Sequence, residues 1–447
     1  MTEARSDDSP RKMGLWMTLS LVMGNMVGAG IFLLPASLAI FGGISLVGWA
    51  ASTVGALLLA LVFARLSAVA PAPGGPYAYS RRGFGDFAGF LVAWGYWIAI
   101  MAGNAAIAVA FVGYLGTFVP GLANSPVLAV LTALTAIWLL TWVNAQGVRA
   151  AGSVQLVSTV LKFLPLFAIG TIGLLYLQVD HFTPFNLSGE TTFGAITACT
   201  ALTFWAFQGF ESASIPAGHI ENPKRTIPKA TVLGTLLTGV VYILCTVGVM
   251  GILSPVILAD STAPFADAAA SIWGGWAGRA VAAGAVVSTL GALNGWILLQ
   301  AQIPYAAAKD GVFPRLFSHV SPKGVPITGL VISSVLITIL MATNYTQGLV
   351  SLFTFMVLLA TLSALIPYAF TAMAEIMIYV REPELFRGDR FGRAVLLAGL
   401  AFAYSIWAIG GTGQATVFWG FLLLMVGIPV YVWIAWRERQ TASSDGE

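Results

Sequence analysis

One pattern constrains this chain more than any other: apolar runs of about 20 residues, separated by short polar links, recur from end to end. They fall at 14–38, 44–68, 85–116, 126–145, 154–177, 194–218, 229–252, 279–307, 326–343, 348–379, 394–411 and 416–436. In hydrocarbon every backbone N–H and C=O must find its partner within the protein, so spanning segments are helices or closed barrels. Barrel strands alternate over about 10 residues; these runs are longer and continuous. The chain therefore reads as an all-α polytopic membrane protein with twelve transmembrane helices. Composition agrees: 9% of the 447 residues are charged, against about 25% in soluble domains. Cys199 and Cys245 both lie in apolar runs, which excludes a secreted disulfide scaffold. A net charge of +3 without a long basic block argues against a nucleic-acid partner. The first run is too long for a signal-peptide core and lacks a small-residue cleavage site, so it is expected to be retained.

Basic residues mark the cytoplasmic side of a membrane protein. With the N-terminus inside, nineteen of the 21 Lys and Arg residues fall in the tails and the even-numbered links. Arg279 is on the other side, and Lys162 lies within a run. A multi-pass protein of the plasma (inner) membrane with both termini cytoplasmic is the expected topology.

Two runs carry helix breakers in their interiors. The first contains Gly24-Asn25-Met26-Val27-Gly28-Ala29-Gly30 and then Pro35; the sixth contains Gln208-Gly209-Phe210-Glu211-Ser212 and then Pro216. Gly28 lies about as far into its run as Gly209 into its own. Such breaks are tolerated at membrane depth where they line a cavity, and matched breaks in two halves point to an inverted-repeat secondary transporter. The plain alternative is close packing of neighbouring helices through small residues.

An unwound helix exposes backbone groups. N–H groups that begin the second half-helix attract a carboxylate, and carbonyls that end the first accept from an ammonium. Here the amides around Gly28, Ala29 and Gly30 are expected to receive a substrate carboxylate. Carbonyls near Met26, Trp205 and Gln208 are expected to receive its ammonium.

GNMVGAGIFLLP in the first run, PGGPYAYSRRGFG before the third, FWAFQGFESAS in the sixth, ENPKRTIPKA after it and AAAKDGVFPRLFSHV after the eighth resemble the amino acid–polyamine–organocation (APC) superfamily of transporters. The nearest pattern is that of the bacterial arginine/agmatine antiporters and other basic amino acid/polyamine antiporters. The resemblance covers nearly the whole chain. It implies a LeuT-type fold: a first five-helix repeat over 14–179, an inverted second repeat over 194–380, two additional helices over 394–436, and cytoplasmic tails at 1–13 and 437–447. Relatives are often homodimers.

Glu211 is the one acid well inside a run, and an intramembrane ionisable group is a functional candidate. The resemblance makes it a proton-linked gate or coupling residue; the bland reading is a glutamate satisfied by freed amides. Lys162 is the one base well inside a run. By resemblance it stands where sodium-coupled relatives bind a cation, a position the arginine/agmatine pattern leaves without a lysine. This argues against sodium coupling and leaves open either proton coupling or a fixed cation that ties the fifth run to carbonyls of the first. Trp205 and Trp296 match aromatic positions of the pattern, and an indole face attracts guanidinium or ammonium. Asn104 could bond the distal end of a substrate, or simply bond between helices. Ala29, Ala206, Ile100 and Ala360 depart from the arginine pattern, so recognition of the amino-acid headgroup is a firmer expectation than arginine itself.

An enzyme is not expected, because a hydrolase needs a nucleophile with its base or paired acids at membrane depth; no run contains His, and the one Asp within a run, Asp86, stands at its very start. A channel would want rings of pore-lining polar groups. No metal, nucleotide or prosthetic-group motif appears, and His181, His219 and His319 fall in links. Asn186-Leu-Ser and Asn344-Tyr-Thr fit glycosylation sequons by coincidence. The expected activity is alternating-access transport that exchanges or proton-couples a cationic amino acid, its decarboxylated amine, or both. Its partners are that small molecule, protons and the lipid bilayer. Proton-coupled symport of neutral amino acids is the alternative.

Overall fold

The computed structural model describes residues 13–28, 30–69, 74–147, 162–163, 165–214, 220–344, 346–386 and 390–444. Expectations placed on Ala29, Arg149, Pro216, His219, the first third of the run 154–177 and the extreme termini lie outside them. Among the described residues no β-strand forms; the one isolated bridge joins Met13 to Ile220.

The long helices are α1 (Leu15–Met26), α2 (Gly30–Ala39), α3 (Ser45–Val69), α4 (Pro76–Phe84), α5 (Asp86–Leu115), α6 (Pro126–Ala145), α7 (Thr192–Phe204), α8 (Pro223–Ile252), α9 (Pro264–Trp273), α10 (Gly275–Lys309), α11 (Ile327–Ala342), α12 (Leu349–Arg381), α13 (Phe391–Gly410) and α14 (Gln414–Ser444). Local chemistry sets many starts. Ser125 caps α6 by accepting from the Leu128 amide, with Pro126 at the first helical position, and Thr191 caps α7 by accepting from Gly194. Nine described helices are long and apolar enough to cross a membrane, and ten if α1 and α2 form one bent span. The apolar segments Pro165–Tyr176 and Ile327–Ala342 are shorter and coincide with two further expected runs. Helices α4 and α9 occupy stretches that the hydropathy pattern leaves as links, because they are short and lie outside the apolar runs.

Burial orders the spans. Some 94% of the apolar window of α5 is buried, against 33% in α13 and 22% in α14, so α5 is the central post and the last two helices flank the bundle. Links sort onto two faces. On one, Arg81 pairs with Asp310, Arg82 with Glu382, and Lys323 bonds Gln146. On the other, Ile44 bonds Phe185, Leu187 bonds Phe41, Gln178 bonds Gly251, and the Phe265 amide bonds the Tyr114 hydroxyl.

The chain leaves α-helical geometry at both glycine-rich places. Helices α1 and α2 meet at 42°, with Val27 capped onto Met23 O and Gly28 N–H turned onto Met26 O at 2.8 Å. Beyond α7 the backbone tightens into 3₁₀ turns at Trp205–Phe207 and Phe210–Ser214, with Gly209 between them at φ +112°. That conformation favours glycine, and space requires it as well: a Cβ at Gly209 would stand 3.0 Å from the Asn25 carbonyl carbon. The two breaks are packed directly against each other.

Candidate functional site

Where the breaks meet, they face α5 and α10 across a narrow cavity. Six of the eight expected substrate-binding residues line it: Met26, Gly28, Gly30, Trp205, Gln208 and Trp296. Asn25, Ala99, Ile100, Gly103, Ile107 and Ala206 complete the wall. Trp205 is held in place by shape. A Cβ at Gly30 would stand 3.1 Å from its ring and one at Gly103 3.4 Å, and Phe353 meets it edge-on at 5.7 Å.

Ala29 lies outside the described residues. Asn104 is fully buried but does not line the cavity. Its amide donates to Gln300 at 2.7 Å; Gln300 donates to Ser334, which meets Thr141 at 2.7 Å. This polar chain binds α5, α6, α10 and α11 together behind the site. The Met26 carbonyl, expected to face an ammonium, already accepts from Gly28 N–H and from the Tyr242 hydroxyl. The Trp205 carbonyl accepts from the Gln208 amide at 3.1 Å.

Glu211 occupies a different chamber. It lies, with Tyr96, along an open vestibule of about 1280 Å³ that runs to Pro76 and Asp310 on the face of the Arg81 and Arg82 pairs. Its Oε1 accepts from the hydroxyls of Tyr96 and, at 2.9 Å, Tyr368; its Oε2 accepts from the Gly209 amide at 3.0 Å. Three donors on one carboxylate suit its ionised form, which only accepts. Tyr96 stands one helical turn from cavity-lining Ala99 and Ile100, so the Glu211 cluster lies between vestibule and cavity.

On the opposite side the cavity is sealed. Phe32, on the second half of the broken first span, meets Tyr114 at 5.7 Å and Phe265 at 5.5 Å, both edge-on. The Tyr114 hydroxyl donates to Phe32 O at 2.7 Å and accepts from the Phe265 amide at 3.2 Å. Among the described residues, the vestibule opens to one face and this aromatic contact packs the other.

Lys162 is buried at 2% exposure and donates to the Gly24 carbonyl, one turn before the first break. A cation here satisfies a backbone group beside the site without touching the cavity.

Several residues that sequence reasoning missed now carry structure. Tyr96 and Tyr368 bind Glu211, and Tyr242 reaches both breaks; each is an aromatic inside an apolar run, where core packing is the ordinary expectation. Glu375 is a second intramembrane acid, fully buried on α12 and ion-paired with Arg65 at 2.9 Å. Its place near the end of the run 348–379 disguised it, and Arg65 reads as a link charge. At the vestibule mouth, Tyr77 donates to Asp310 at 2.9 Å. Burial, reinforced by Asp310, pushes the Tyr77 phenol above its usual range, so it stays a donor at neutral pH. Nearby, Arg82 holds the Glu382 carboxyl below the usual carboxylate range.

Among the described residues no group of three or more His, Cys, Asp or Glu is placed to hold a metal ion. The sequence matches the family profile described as amino acid permease over residues 13–435. It is 39% identical to a protein named cadaverine/lysine antiporter from Escherichia coli K12, across 74% of this chain and 75% of that relative. It is 31% identical to the putrescine transporter PotE of Haemophilus influenzae, across 95% of this chain and 98% of the relative. The same protein of E. coli K12 is 31% identical across 96% and 97%.

Proposed function

The chain belongs to the amino acid permease family of the APC superfamily, and on that premise we propose that it exchanges a basic amino acid for its decarboxylated amine. It is a transporter of amino acids or polyamines and not an enzyme. The relatives named for cadaverine, lysine and putrescine support a cationic substrate.

The observation that carries the proposal is the contact of the two breaks, Gly209 on Asn25, beside a cavity that two tryptophans wall. Freed backbone groups there serve the parts common to all amino acids and amines. Trp205 and Trp296 offer π-faces to the cationic end. Glu211, between cavity and vestibule, is the gating and proton-coupling group, and Lys162 replaces a bound cation at the first break. Access alternates: the vestibule side is open here, the Phe32–Tyr114–Phe265 side closed.

This reading includes the finer architecture. Twelve spans form two inverted five-helix repeats, 14–179 and 194–380, followed by helices over 394–436. Both termini and the vestibule face the cytoplasm, which the pairing of basic links on one face supports. A second reading, proton-driven uptake, draws on one observation, the Lys162 contact on Gly24, which puts an ionisable side chain beside the first break.

Ligand titration of the purified protein followed by tryptophan fluorescence tests the substrate class. Lysine, arginine, cadaverine and putrescine should quench or shift the emission, and leucine should not. Saturable binding of leucine without any response to the basic ligands would defeat the proposal.

A further inference from the structure

The hydroxyl of Tyr242, on α8, lies 2.7 Å from the Met26 carbonyl oxygen and 3.0 Å from the Ala206 carbonyl oxygen. Met26 closes the first half of the first broken span, and Ala206 sits in the 3₁₀ turn that breaks the sixth. One side chain from a third helix thus joins backbone carbonyls of both interruptions. Its ring is fully buried, packed on Trp49 at 5.0 Å and on Phe207 at 5.5 Å, so the phenol has a fixed position. Tyr242 itself does not line the cavity, whereas Met26 and Ala206 do.

From this geometry we infer that Tyr242 is a positioning residue for substrate binding: it clamps the two broken spans together through their carbonyls and so sets the shape of the backbone receptor. The phenol carries a single hydrogen for two acceptors. Met26 O also accepts from Gly28 N–H at 2.8 Å, which leaves its orientation doubly fixed. Ala206 O receives the same hydroxyl at 3.0 Å, the side-chain contact that ties it to α8. Removing the hydroxyl releases the sixth-span side of the receptor while the aromatic packing stays in place. The inference rests on the proposed cationic-amine transport.

The test is equilibrium binding of labelled lysine and cadaverine to the purified full chain, wild type against Tyr242→Phe. A companion protein carries para-aminophenylalanine at position 242, whose amino group has two hydrogens for the two carbonyls. Loss of one hydrogen bond that shapes the receptor should raise Kd about tenfold in Tyr242→Phe. Para-aminophenylalanine should return it to within about threefold of wild type, an outcome that a change in packing alone does not produce. Wild-type affinity in Tyr242→Phe, or failure of the amino analogue to restore binding, overturns the role. Should Tyr242→Phe fail to fold, the amino-analogue protein decides alone: retained affinity supports the clamp, and lost affinity in a folded protein overturns it. If the wild type binds neither ligand, the substrate assignment fails instead, which is a separate result.

Discussion

Tyr368 donates its hydroxyl to Glu211 Oε1 at 2.9 Å, binding the middle of α12 to the interrupted part of the sixth run. Tyr96 from α5 donates to the same oxygen, and the Gly209 amide holds the other. A carboxylate in this cradle links three elements around the inner end of the vestibule. Protonation gives Glu211 a hydrogen with three donors already facing it, so the cluster must rearrange when the charge is lost.

Glu211→Gln fixes that neutral condition permanently. Because the amide cannot titrate, transport by the variant should show a flat pH profile, whatever its absolute rate. Initial uptake rates into liposomes across pH 5–8, the range spanned by ordinary side-chain titrations near neutrality, check this. A profile that keeps the wild-type shape would remove Glu211 from coupling.

Lys162→Ala should abolish the response of exchange to pH while retaining part of the substrate binding, because the lysine bonds Gly24 O beside the break and not the cavity. The comparison is exchange flux across pH 5–8 against equilibrium binding on the same preparation. Unchanged pH dependence of flux in the variant contradicts a coupling role.

Trp296 lines the cavity on α10, and a cation over an indole face gains roughly 0.5–2 kcal/mol, more as it is desolvated. Trp296→Leu keeps the apolar wall and removes the π-face. Affinity for lysine or cadaverine should fall by about two- to thirtyfold, and affinity for any neutral ligand should change little. Competition binding with charged and neutral ligands measures the split; equal losses for both would reassign Trp296 to packing.

The Arg65–Glu375 pair joins α3 to α12, with Glu375 fully buried and the Arg65 side chain 19% exposed. Leaving a buried charge without its partner costs about 3–5 kcal/mol, whereas replacing both partners by apolar groups is often close to neutral. Arg65→Met should therefore lower the melting temperature sharply, and Arg65→Met combined with Glu375→Leu should recover most of the loss. Additive destabilisation in the double variant would show that the pair is not the source.

The spans and the two breaks were legible because each has a local cause. Lipid-length apolar runs stand out against short polar links, and Gly28, Gly30 and Gly209 interrupt their runs with residues that weaken helices. Trp205 and Trp296 were found only by resemblance, since nothing local distinguishes a cavity tryptophan from a core one. What stayed hidden depends on pairing across the fold. Tyr242 gains its meaning from carbonyls on two other segments, Tyr96 and Tyr368 from one distant glutamate, and Glu375 from an arginine that reads as a link charge. Asn104 was open to two readings, a distal substrate ligand or a bond between helices, and its amide N–H donates to Gln300 on α10.

The central claim is exchange of basic amino acids for amines, and flux tests it most directly. Reconstituted protein would be given labelled lysine outside, with vesicles containing unlabelled lysine, unlabelled cadaverine, or buffer alone under an alkaline-inside pH gradient. The account predicts rapid uptake into vesicles preloaded with lysine or cadaverine and little into the others. Equal uptake into empty alkaline-inside vesicles would contradict exchange and establish proton symport with Lys162 at its centre; no lysine uptake under any condition would contradict the cationic substrate itself.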